Sequence, residues 1–123
     1  MNSESVLDIF REITRIPRES GHEEKMIEFL QKFAAEHNLA CKTDATGNVV
    51  ITKEATPGKE NVPAIALQSH QDMVCEKTAG SNHDFTKDPI NYVIKDGWMI
   101  AEETTLGADE NLSFTGTAPA LAF

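Results

Sequence analysis

Apolar residues recur over the first sixteen positions at helical spacing: Val6, Ile9, Phe10, Ile13 and Ile16, with polar residues between them. Such a stripe buries one face of a helix. Ser3 is placed to cap it, and Pro17, which has no amide hydrogen to continue the ladder, ends it. A second helical stripe follows in Met26, Leu30, Phe33, Ala34 and His37 and carries the helix to about Asn38. Ser20 and Glu23, three residues apart just ahead of it, have the spacing of a reciprocal capping box. The pattern then shortens to strands. Residues 41–43 and 49–52 read as a hairpin turning through 44–48, where Gly47 is free to take positive φ. Residues 92–95 and 98–101 form a second hairpin, because Asp96-Gly97 supplies both central residues of a type I′ turn.

Between the hairpins lies an unbroken apolar run, Ala64-Ile65-Ala66-Leu67, entered through Pro63 and left through Gln68-Ser69-His70-Gln71-Asp72. It reads as a short strand buried on both faces, as in a parallel sheet covered by helices. His70 and Asp72 then stand at its carboxyl end, where open α/β sheets bind their ligands. The polar loop 56–61 delivers the chain to this strand. Residues 76–88 have no period, and a loop of that length is uncommon unless it serves function, so it is a candidate wall for a site. Residues 104–109 again form a short segment ending in a carboxylate, Asp109. From Glu110 to Phe123 no clean period remains, and no internal repeat is present.

Composition narrows the function classes. The chain has 123 residues, 40% of them hydrophobic, which is enough for one core and one domain. Eleven basic against twenty acidic residues give a net charge of −9, spread along the chain. That charge argues against a nucleic-acid or anionic-membrane partner. The start, Met1-Asn2-Ser3-Glu4-Ser5, lacks the basic flank and apolar centre of a signal peptide, and no apolar run is long enough to span a membrane. A cytoplasmic protein is expected. Cys41 and Cys75 make neither a disulfide framework nor a CxxC metal site, and both read as small buried hydrophobes in a reducing compartment. Trp98 and Phe114 read as core.

No glycine-rich phosphate loop and no Gly-x-Ser-x-Gly elbow is present, so attention stays on metal chemistry. An imidazole and a carboxylate are ligands for first-row metals, zinc above all, and a second carboxylate can orient the imidazole from behind. His70 and Asp109 fit the ligand roles and Asp72 the orienting one. By itself His-x-Asp is more often a solvated loop pair or an ordinary hydrogen bond than a metal site. His22 reads as a first-turn surface residue, His37 as part of a helix face, and His83-Asp84 as a solvated loop rather than a pocket lining.

The order of motifs says more. Phe10-Arg-Glu-Ile-Thr-Arg-Ile-Pro-Arg-Glu-Ser-Gly-His-Glu-Glu24, Asp44-x-x-Gly-Asn-Val-Val50, Leu67-Gln-Ser-His-Gln-Asp-Met-Val74, His83-Asp-Phe-Thr-Lys-Asp-Pro-Ile90 and Thr104-Thr-Leu-Gly-Ala-Asp109 follow one another as in the aminoacyl-histidine dipeptidases. The chain resembles these enzymes, the Xaa-His or cytosol nonspecific dipeptidases of the M20 family of zinc peptidases, over residues 1–109. The resemblance implies an α/β fold, the first part of a zinc-exopeptidase-like mixed sheet flanked by helices. It implies two zinc ions in the full site, with His70 a ligand of one, Asp109 bridging both, and Asp72 the catalytic-site carboxylate that orients a group behind them. It also implies unblocked dipeptides, including those ending in histidine, as substrates.

Two features depart from the family. Asp109 is followed by Glu110-Asn111-Leu112-Ser113 where the family has Asn-Gly and a glycine-rich helix start. The family's later Glu-Glu pair, which supplies the general base, its further acidic ligand and its late histidine have no counterpart here. Glu102-Glu103 precedes Asp109 and reads as exposed charge. The expectation is therefore that residues 1–123 are the amino-terminal portion of such a catalytic domain, truncated after about residue 109 and inactive alone. Uncovered sheet would favour self-association. The alternative is a non-catalytic acidic interaction or dimerisation fragment.

Overall fold

A computed structural model describes residues 3–108; Asp109 and Phe114 lie outside them. Six elements follow in the order α1 (Ser3–Ile13), α2 (Glu24–Glu36), β1 (Ala40–Thr43), β2 (Val49–Thr52), β3 (Tyr92–Lys95) and β4 (Trp98–Ala101). The class is α/β. β1 and β2 pair antiparallel with Cys41 opposite Ile51, and β3 and β4 pair antiparallel with Val93 opposite Ile100. Asp96 and Gly97 both take positive φ, 52° and 80°, as a type I′ turn requires. α2 packs on the first hairpin. Their contact is close at Gly47 (φ 97°), where a Cβ would come within 3.0 Å of Ile27 Cδ1.

The buried apolar core is Phe10 of α1, Met26 and Ala34 of α2, Met73 and Ile90, and Thr14 and Arg18 are buried among them. Of the turn that carries His70, Met73 is the residue that enters this core. Ile90 is fixed by its amide, which donates to the Thr14 carbonyl at 2.8 Å.

Several expectations are corrected. α1 stops at Ile13, three residues short of Ile16, and two tight turns, Arg15 N to Glu12 O and Ile16 N to Ile13 O, lead into Pro17. The residue before a proline is pushed out of the α region, so the helix unwinds ahead of it. The capping box does not form either. Glu23 is the N-cap of α2 without a side-chain cap bond, its Oε1 accepts from the Gly21 amide at 2.7 Å, and the Ser20 hydroxyl turns elsewhere.

The apolar run 64–67 is not a strand among the described residues; Ile65 is 85% exposed and Leu67 46%. A strand buried on both faces needs a neighbour along each edge, and the ladders that do form are hairpins closed by short turns. Trp98 is exposed rather than core, since among the described residues β4 has only β3 beside it. Cys41 and Cys75 are half-buried. The 76–88 loop is an internally bonded turn cluster: Lys77 Nζ donates to the His83 carbonyl at 2.7 Å, the Asp84 amide to Asp88 Oδ2 at 2.8 Å, and Lys25 Nζ to the Thr86 carbonyl at 3.2 Å.

Candidate metal centre

The turn carrying His70 and Asp72 has no regular structure of its own, so distant parts of the chain must hold it. Residues 18–20 do most of this. The Met73 amide donates to the Arg18 carbonyl at 2.9 Å, forming a single parallel bridge between Glu19 and Met73. Ser20 Oγ donates to Asp72 Oδ2 at 2.5 Å. The Arg18 guanidinium reaches the Asp72 carbonyl at 3.2 Å, the Gln71 carbonyl at 3.5 Å and the Gly107 carbonyl at 2.6 Å. From the other side, Gln71 Nε2 donates to the Gly47 carbonyl at 2.9 Å, which ties the turn to the first hairpin.

Within the turn, His70 Nδ1 lies 3.0 Å from Asp72 Oδ1 and 2.9 Å from the Asp72 carbonyl. Both neighbours are acceptors, so a neutral ring would carry its proton on Nδ1, and any metal ligation would fall to Nε2. This is the carboxylate-behind-histidine arrangement that fixes tautomer and ring orientation in metal sites. The residues present fit a metal ligand and its orienting partner. The side chains are 47% and 32% exposed, leaving the imidazole within reach of a solute.

The Ser20 hydroxyl, and after it His70, hold the Asp72 carboxyl below its ordinary range, against the opposing effect of burial. Asp44 is lowered chiefly by the Asn48 side chain, and Asp84 is lowered to about 2, chiefly by the Thr86 hydroxyl. All three bind protons less readily folded than unfolded. The stability they contribute is present above the unfolded value near 4 and is lost as pH falls through the folded values. Urea midpoints measured from pH 7 downwards should hold until about pH 4 and then decline towards about pH 2; a flat profile through that window would contradict these bonds.

The structure brings together His70 and Asp72, while Asp109 lies outside the described residues. The other histidines stand apart from this pair. His22 is exposed; His37 caps the end of α2, with Nδ1 2.9 Å from the Phe33 carbonyl and its ring stacked on Phe33. His83 is half-buried edge-on against Phe85, at 4.5 Å between ring centres, which corrects the solvated-loop reading without making it a ligand. Glu102 and Glu103 are exposed, as expected. Burial raises the Cys75 thiol, which suits an inert side chain better than a nucleophile. Among the described residues no group of three or more histidine, cysteine, aspartate or glutamate side chains converges to hold a metal.

The residues that position this pair, Arg18, Ser20, Gln71 and Gly107, carry no periodic signal. Their only trace in the sequence is that they fall inside the ordered motifs.

The architecture is that of a dipeptidase's α/β fold in part. The chain superposes on the aminoacylhistidine dipeptidase from Vibrio alginolyticus with a TM-score of 0.86 and 40% sequence identity, over 93% of this chain and 23% of that one. It is also 43% identical over 122 residues to the cytosol non-specific dipeptidase of Escherichia coli (strain K12), which is 99% of this chain and 24% of the relative. The chain thus spans about a quarter of the length of the relatives it matches. No family model matches it. Over that quarter the chain is a relative of these dipeptidases, as the order of its motifs implies.

Proposed function

We propose that the chain supplies the first part of a metal site in a cytoplasmic dipeptidase that hydrolyses unblocked dipeptides, those ending in histidine among them. The observation that carries this reading is the His70 imidazole held through Nδ1 on Asp72, in a stretch related to dipeptidases throughout. His70, through Nε2, and Asp109 would hold the metal. The donor set of imidazole and carboxylate suits zinc. Zinc bound there, two ions in the complete site, supplies polarisation of the scissile carbonyl and a water of lowered pKa.

The chain's own residues do the preparatory work. Ser20 keeps Asp72 ionised, Asp72 keeps the proton on Nδ1, and the imidazole therefore presents its Nε2 lone pair. The half-exposed ring leaves room for a second ligand or a substrate group. These residues fill only part of two tetrahedral sites and include no assigned general base. Assayed alone, the 123-residue chain is expected to hydrolyse no dipeptide while still taking up zinc weakly. Zinc titration of the labelled chain by NMR should move the His70 ring signals saturably; ring signals that stay in place at millimolar zinc would refute the metal role.

A further inference from the structure

We propose that Arg18 is a positioning residue that ties residues 70–73 to the chain at Gly107 and so sets the His70 ring. This rests on the metal reading above. Arg18 is 2% exposed, and its guanidinium spans the two segments: Nη1 donates to the Asp72 carbonyl at 3.2 Å and Nη2 to the Gly107 carbonyl at 2.6 Å. The Asp72 carbonyl it holds is the same one that lies 2.9 Å from His70 Nδ1. Cation and imidazole therefore meet on one acceptor, and the tilt of that peptide sets the ring.

The far segment closes on the guanidinium without clearance. Gly107 has φ +68°, and a Cβ there would lie 2.8 Å from Arg18 Nη2, 2.9 Å from Met73 Sδ and 3.0 Å from Met73 Cβ. Gly107 stands two residues before Asp109 in the sequence. The planar fork of arginine reaches two strands of chain at once, which the single ammonium of lysine does not.

The test uses the 123-residue chain labelled with 15N at histidine and arginine, with Arg18→Lys and Gly107→Ala beside the wild type. At about pH 8, above the ordinary histidine range, the wild type should show His70 in the Nδ1–H tautomer and slowly exchanging Arg18 Nη protons. In variants that keep the wild-type circular dichroism, the Nδ1–H population should fall by about twofold or more. Zinc affinity should fall about tenfold, as for loss of an outer-shell partner. A merely structural role would lower the thermal midpoint and leave the tautomer balance alone.

Folded variants that keep both the tautomer and the zinc affinity would overturn the proposal. So would Arg18 Nη protons in the wild type that exchange as fast as those of a solvent arginine, a result that needs no variant. Should the wild type bind no zinc while Arg18→Lys still shifts the tautomer, the metal reading falls and the positioning role stands.

Discussion

Replacing Met73 by alanine is expected to destabilise the chain by about 2–5 kcal/mol, the range for removing a buried methionine side chain from a packed core. Met73 is 4% exposed and its side chain lies against the backbone of Gly107 and beside Arg18. The amide bond from Met73 to the Arg18 carbonyl survives the substitution, so the loss is one of packing. The buried apolar core among the described residues consists of five side chains, three from the two helices and Met73 and Ile90 from outside them. Total stabilities of small domains run to about 5–15 kcal/mol, so a loss of this size is a large part of the whole. Urea denaturation of the variant checks it. A loss under about 1 kcal/mol would mean that the turn carrying His70 is not packed as described.

Replacing His70 by alanine should leave stability nearly unchanged and remove function. The imidazole is half-exposed, and its Nδ1 meets the Asp72 carboxylate. Loss of an outer-shell partner typically costs 10–100-fold in metal affinity or activity, so loss of a ligand should cost on the order of 1,000-fold or more. The chain spans about a quarter of its relatives, so this is best read where the rest of a site is present. A chimera carrying this chain in place of the matching quarter of the Escherichia coli cytosol non-specific dipeptidase provides that setting. Its Asp72 remains after the substitution, which isolates the loss of the imidazole.

What the sequence made legible was whatever is decided locally. Both helices followed from apolar stripes, and the second hairpin from Asp96-Gly97, whose positive φ values the structure reproduces. His70 and Asp72 stood out because two polar ligand types end an apolar run, and they do meet. Failures came where distant partners decide. Ser20 has the spacing of a cap, yet the Asp72 carboxylate outcompetes the helix amide for it from 52 residues away. Residues 64–67 carry the composition of a central strand, but a strand is made by its neighbours, and among the described residues none lies alongside. Arg18 left no periodic signal, since the carbonyls of Gln71, Asp72 and Gly107 that it holds lie 53 to 89 residues further along the chain. Asp109 was reached only through the order of the motifs and lies outside the described residues.

The most direct measurement is zinc-dependent hydrolysis of a dipeptide by that chimera, with and without His70→Ala, each shown by circular dichroism and size-exclusion chromatography to be folded. The account predicts hydrolysis that a chelator abolishes and zinc restores, and that the substitution lowers by about 1,000-fold or more. A folded, zinc-loaded chimera whose rate is the same with alanine at position 70 would contradict it.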